Sequence, residues 1–192
     1  MADGVTLTRD DNIGIITLDN PPVNGLSFAV RRGLADQVEA ALSDDAIEAI
    51  VVRGAGKMFC GGADIRQFGQ TPPADAANLP AVINRIENSS KPVVAAIHGV
   101  AAGGGLEVGL GCHYRLASTG TRLGLPEVTL GFVPGAGGTQ RLPRLIGVQN
   151  ALDVIVNGRL LPSERAQALG IVDEVVDGDL LTRAVTFARG LV

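Results

Sequence analysis

Short apolar runs rich in β-branched residues alternate with longer stretches in which apolar positions recur every three or four residues. Residues 13–18, 49–53, 92–98, 114–117 and 171–176 have the length and composition of buried strands. Between them, Ser27 is placed to cap a helix that carries Phe28, Leu34, Val38, Ala41 and Leu42 on one face and ends at Ser43 and Asp44. A second helical pattern carries Val82, Ile83 and Ile86 and stops before Ser89, Ser90 and the Lys91-Pro92 step. Residues 139–145, 149–156 and 163–169 read as short helices with Gly147 and Gly170 as stops. An amphipathic stretch from Asp179 onward carries Leu180, Leu181, Val185 and Ala188. Strands alternating with helices predict an α/β fold with parallel sheets flanked by helices. The segment 70–80, with Pro72, Pro73 and Pro80, reads as an exposed connector, and no internal sequence repeat is visible.

At 192 residues the chain is expected to form one domain, 1–192, without staples. Acidic residues outnumber basic ones by 20 to 16, and no stripe of Lys and Arg suits a phosphate backbone, so a nucleic-acid partner is not expected. Charged residues interrupt every apolar run well before the roughly 20 residues of a membrane span. Residues 1–11 lack a basic start followed by an apolar run, and Cys60 and Cys112 lack metal-ligand spacing. The setting expected from this is reducing and cytoplasmic. Cys112 beside His113 supplies too few ligands for a metal, so none is expected.

Three glycine-rich segments carry the candidate chemistry. In His98-Gly-Val-Ala-Ala-Gly-Gly-Gly-Leu-Glu-Val-Gly-Leu-Gly-Cys112, glycines follow a strand and open a helix. Free N–H groups at such a start favour developing negative charge, although the glycines could equally serve close packing of helix on strand. Around Glu107 that helix is small or apolar on every side and so is expected to be buried. A carboxylate there must be paired, neutralised or turned to a pocket, and burial raises its pKa toward the range useful for proton transfer. The bland alternative is a surface glutamate. Glu127, in Gly124-Leu-Pro-Glu-Val-Thr-Leu-Gly131, either complements a helix that Pro126 begins or faces the same chemistry. Next comes Gly131-Phe-Val-Pro-Gly-Ala-Gly-Gly-Thr-Gln-Arg141, whose backbone must turn sharply or approach something closely. In the third segment, Gly56-Lys-Met-Phe-Cys-Gly-Gly-Ala-Asp-Ile-Arg66, the N–H of Ala63 is a candidate donor. The other reading is a tight turn with Ala63 and Ile65 packed inward.

Taken in order, Cys60-Gly-Gly-Ala-Asp-Ile65, Ala102-Gly-Gly-Gly-Leu-Glu107, Leu125-Pro-Glu-Val-Thr-Leu-Gly131 and Pro134-Gly-Ala-Gly-Gly-Thr-Gln-Arg141 closely resemble the enoyl-CoA hydratase, or crotonase, family. The likeness runs from the Asn20-Pro-Pro-Val-Asn24 turn to Ile171-Val172. With Gly111-Cys-His-Tyr-Arg115 and Arg141-Leu-Pro-Arg-Leu-Ile-Gly147 it looks nearest to the hydratase/isomerase part of multifunctional fatty-acid oxidation enzymes. The resemblance implies a crotonase-like spiral of ββα units with flanking helices. It also implies a thioester carbonyl held between the N–H groups of Ala63 and Gly104, with Glu107 as base and Glu127 as acid. The implied reaction is addition of water to a 2-enoyl-CoA in fatty-acid β-oxidation, with shift of a 3-enoyl double bond as a second activity. No cofactor is implied, since CoA is part of the substrate. The Ala63 loop, with Asp64, Ile65 and Arg66, would meet the CoA portion, although Arg66 also reads as a solvated residue after a turn. Against that family the chain is short at its C-terminus, where relatives carry further helices or a second catalytic part. A homo-oligomer or a piece of a multifunctional chain is therefore expected.

Two other functions remain in view. Gly103, Gly105 and Gly109 mimic a dinucleotide fingerprint, but the following strand runs into Ser118, Thr119 and Gly120 rather than into an acid that could hold a ribose. A non-catalytic acyl-CoA-binding module is the second.

Overall fold

The computed structural model describes residues 4–192. Strands β1 (Val5–Asp10), β2 (Ile13–Leu18), β3 (Ala49–Gly54), β4 (Val93–Ile97), β6 (Tyr114–Ser118) and β9 (Glu174–Val176) lie side by side in one sheet in that order. Only the β1–β2 pair is antiparallel. β5 (Val100–Ala102), β7 (Arg122–Gly124) and β8 (Leu161–Pro162) form a smaller sheet in the order β5-β7-β8. Among the described residues seven helices accompany them: α1 (Phe28–Ser43), α2 (Leu79–Glu87), α3 (Gly104–Gly111), α4 (Gly138–Ile146), α5 (Val148–Asn157), α6 (Ser163–Leu169) and α7 (Leu180–Arg189).

The two sheets are linked turn by turn. β4 feeds β5 and then α3, and β6 feeds β7 and then the glycine loop before α4. After β3 the chain touches the smaller layer at Cys60, which bridges Ala101 of β5, and Ala63 then bridges Leu26 ahead of α1. Each turn thus delivers a strand to the large sheet, an extended segment to the small layer and a helix: the spiral of ββα units that the resemblance implies.

Continuous apolar runs such as Ala49-Ile-Val-Val belong to parallel strands covered on both faces. Successive side chains point to opposite faces, so Ile50 and Val52 join the cluster under α1, α2 and α3. Ala49 and Val51 join the one that packs on Ala184, Val185 and Ala188 of α7. Ser27 caps α1 through its hydroxyl, which accepts from Val30 N–H, and α2 starts at Asn78, whose side chain accepts from Ala81 N–H.

Where the expected elements differ, backbone bonding explains it. The run 171–176 is a strand only over Glu174–Val176, because Ile171 N–H closes the end of α6 on Ala166 O (2.9 Å) and Asp173 N–H bonds Arg115 O (2.9 Å). β1 escapes a pattern search because it is an edge strand with Thr6 and Thr8 exposed, and β5, β7 and β8 are only two or three residues long. Pro126–Leu130 forms a 3-10 turn rather than an α-helix. Among the described residues no helix is long and apolar enough to cross a membrane.

Two buried polar residues fasten the site to this frame. Arg115 donates to Gly109 O (3.2 Å) and Cys112 O at the end of α3 and to Ile171 O (2.9 Å), which pins the C-terminal end of that helix. Asn24, 3 % exposed and at φ 53°, donates its amide to Ala55 O (2.9 Å), Met58 O (2.8 Å) and Phe59 O (3.2 Å). Asn24→Ala strips the donor from these carbonyls, and leaving buried acceptors unmade costs about 1–3 kcal/mol. Urea unfolding is expected to show a lower midpoint by that amount, with the m-value unchanged.

Candidate active site

The loop after β3 reaches the site by three backbone bonds: Cys60 N–H to Val100 O (3.1 Å), Gly61 N–H to Val23 O (2.7 Å) and Leu26 N–H to Gly62 O (2.8 Å). Ala63 follows with its N–H unused. On the other side, Gly103 donates to Gly124 O (2.9 Å) and turns the chain at φ 53°, ψ −126°, a conformation that only glycine adopts readily. α3 therefore begins at Gly104, whose N–H is one of the donors that a helix start leaves without an internal partner. Among the described residues neither Ala63 nor Gly104 N–H donates a hydrogen bond. The two strands of backbone run close, since a Cβ at Gly104 would stand 3.5 Å from Ala63 N. Both residues line one cavity of about 400 Å³, with Glu107 and Glu127 in the same wall.

All eight residues of α3 are buried, Glu107 included at 2 % exposure. Its Oε1 accepts from Ala136 N–H (2.7 Å) and Gly138 N–H (2.8 Å), at the glycine-rich start of α4. Burial lifts its pKa above the usual range, and the two N–H groups and the Arg141 guanidinium pull the other way. Glu127 stands on the 3-10 turn with Oε2 buried and without a partner. Burial pushes its pKa up to about 7, and the nearby Glu107 adds to the rise. One carboxyl group is thus anchored by donors that favour its charged form, and the other holds its proton toward neutrality. Two buried acids, one hydrogen-bonded by backbone donors and one without a partner, in one mainly apolar wall suit paired proton transfer.

The rest of the cavity is mainly apolar, with Ile65, Phe68, Leu79, Pro80, Leu130, Phe132 and Val133. Phe68 and Phe132 meet edge to face with ring centroids 5.2 Å apart. Ile65 is 63 % exposed, so the inward-packed reading of its turn does not hold. Asp64 and Arg66 lie outside this cavity, in an adjoining groove of about 300 Å³ with Asn20, Pro21 and Pro22. There Arg66 pairs with Asp64 (2.9 Å), which holds the carboxyl below its usual range and engages a guanidinium otherwise free in solvent. Arg31 was not singled out by its sequence context. It lines the cavity, donates to Leu26 O (2.8 Å) and lies over Phe28, and burial lowers its pKa despite the opposing pull of Asp64. Only its place one turn into α1 after the Asn20–Asn24 turn could have flagged it. Cys60 and Cys112 are buried free thiols pushed up to about 12, and among the described residues no group of three or more His, Cys, Asp and Glu could hold a metal.

Residues 8–192 match the enoyl-CoA hydratase/isomerase family. The chain belongs to that family. It is 51 % identical over 177 residues to the peroxisomal bifunctional enzyme of Danio rerio, covering 92 % of this chain and 24 % of that protein. It is 44 % identical over 186 residues to the glyoxysomal fatty acid beta-oxidation multifunctional protein MFP-a of Brassica napus, covering 93 % and 26 %. The crystal structure of enoyl-CoA hydratase from Bacillus anthracis superposes with a TM-score of 0.91 at 33 % identity, covering 98 % of this chain and 76 % of that one. The chain spans about a quarter of the length of the curated relatives it matches. Their peroxisomal and glyoxysomal names overturn the cytoplasmic expectation. That expectation rested on unpaired cysteines and on the character of residues 1–11, of which 1–3 lie outside the described residues. Unpaired thiols report redox chemistry, which several compartments share.

The two raised pKa values have a consequence for stability. A carboxyl group that binds its proton more tightly folded than unfolded makes the native state progressively less stable as pH rises through that window, from about 4.5 to about 7 for Glu127. Glu127→Gln removes that loss and eases the like-charge contact with Glu107. Thermal melts are expected to place the variant furthest above the parent near pH 8 and closest to it near pH 5.

Proposed function

We propose that this chain is the hydratase part of a multifunctional fatty-acid oxidation enzyme, a single domain that adds water across the double bond of a 2-enoyl-CoA to give a 3-hydroxyacyl-CoA. The observation that carries the reading is the meeting of two unengaged backbone donors, Ala63 and Gly104, with two carboxyl groups in one apolar cavity. The thioester oxygen accepts from both N–H groups. As the oxygen of water bonds to the β-carbon, Glu107, held by Ala136 and Gly138, takes a proton from it. The π electrons move toward the thioester, and the enolate-like charge on its oxygen is met by fixed dipoles, each donor contributing typically about 3–4 kcal/mol. Glu127 then gives its proton to the α-carbon, which its raised pKa permits near neutrality.

The same acid pair can move a proton between C2 and C4 of a 3-enoyl-CoA, so isomerisation belongs to this proposal as a second activity. The CoA portion would extend past Ile65 toward Asp64 and Arg66, with Arg31 an added cation at the cavity wall. No step requires a cofactor beyond the CoA of the substrate. The peroxisomal setting of the relatives goes with this reading.

The test is loss of the conjugated thioester absorbance of a short 2-enoyl-CoA at several protein concentrations. Turnover is expected, and Glu127→Gln is expected to lower kcat by roughly 10²- to 10⁴-fold while acyl-CoA affinity stays nearly constant. Binding without turnover in the parent chain would favour a non-catalytic acyl-CoA module. Equal turnover in parent and variant would remove Glu127 from the chemistry.

A further inference from the structure

Arg141 stands in the first turn of α4, at the end of the glycine-rich segment, and the proposed proton transfers give it no part of their own. Its side chain is 12 % exposed. Nη1 donates to Ala136 O (3.1 Å), and Nη2 donates to Asn84 Oδ1 and Glu87 Oε2 at the end of α2 (both 2.6 Å). The approach needs a glycine beneath it, because a Cβ at Gly137 would stand 2.0 Å from Nη1. Arg141 therefore grips the 136–138 loop from one side while the Ala136 and Gly138 N–H groups hold Glu107 Oε1 from the other. A brace needed only to tie α4 to α2 would have no reason to spend one nitrogen on that loop carbonyl.

We propose that Arg141 is a positioning residue for Glu107: it locks the 136–138 loop in the orientation that aims two N–H groups at one carboxyl oxygen and leaves the other for the cavity. A planar fork suits this task, since it reaches the loop and α2 at once, whereas an ammonium is a point donor. The charged groups around Glu107 are Arg141 from α4, Glu127 from the 3-10 turn and, lining the same cavity, Arg31 from α1. Glu87 of α2 acts on it only through Arg141. With the loop loosened, the carboxylate loses its aligned donors while its desolvation remains, so its proton is held more tightly.

The kinetic part of this inference rests on the hydratase reading, so the test carries a readout that does not. Arg141→Lys keeps the charge and removes the fork, and Arg141→Met removes both. Glu87→Gln weakens the outer anchor and leaves the arginine in place. In a Glu127→Gln background, infrared titration of the Glu107 carboxyl is expected to move to higher pH in Arg141→Lys, further in Arg141→Met, and slightly in Glu87→Gln. On the parent background the acid limb of kcat/KM is expected to move the same way. There kcat should fall by up to about 10²-fold with KM nearly constant, as for a misplaced catalytic group. If the parent chain does not hydrate at all, the hydratase reading falls and the infrared titration still judges this one. A Glu107 titration that stays in place in folded Arg141→Lys and Glu87→Gln, whatever their melting temperatures, reduces Arg141 to a brace between helices and overturns the proposal.

Discussion

The structure depends on keeping one carboxylate, Glu107, inside a helix that is buried along its whole length. A lone charge in such surroundings costs many kcal/mol, and proteins keep one only when it is hydrogen-bonded or paired. Here the compensation is supplied by two backbone N–H groups from a distant loop, at 2.7 and 2.8 Å. Charge-assisted bonds of this kind are among the stronger ones. They hold one oxygen of the carboxyl in place.

Much of the surrounding architecture serves that placement. The turn at Gly103 starts α3 so that Glu107 lies on the cavity side, and Arg115 pins the far end of the helix. The loop after β3 is pulled to the same point by Asn24 and by backbone bonds to Val23, Leu26 and Val100. Glu127 arrives on a separate turn, where burial and the neighbouring negative charge act in the same direction. Both carboxyl groups are raised by burial, but one is held by two backbone donors and the other has an unpartnered oxygen, a difference made by environment alone. The burial that raises both carboxyl groups also makes the folded state less stable as pH rises, so the proposed proton transfer would come at a cost in stability.

Much of this was legible in the amino-acid sequence. Glu107 stands out because Leu106, Val108 and Leu110 surround it with apolar positions, and the glycine runs mark where backbone is exposed. The ordered motifs from Cys60 to Arg141 pointed to the family, and residues 8–192 match it. The short strands of the small sheet were not legible, since two- and three-residue segments carry no period. Arg31 and Arg141 were not legible as site residues either. Both are long side chains whose destinations depend on which helix ends lie near them, a tertiary fact with no local signal. Arg66 was legible as a basic residue in that loop, but not its pairing with Asp64 beside a solvent-exposed guanidinium. The compartment was misread because free thiols do not distinguish one reducing or disulfide-free setting from another.

The claim at the centre is that Glu107 acts charged and Glu127 acts protonated in one cavity. The pH dependence of kcat/KM for a short 2-enoyl-CoA tests it most directly, since it reports the titrations of the essential acid and base in the free enzyme. The account predicts a bell whose alkaline limb falls near 7, the value to which Glu127 is raised, with Glu107 setting the acid limb. A rate that stays level from about pH 6 to about pH 9, with no loss of activity as Glu127 gives up its proton, would contradict it.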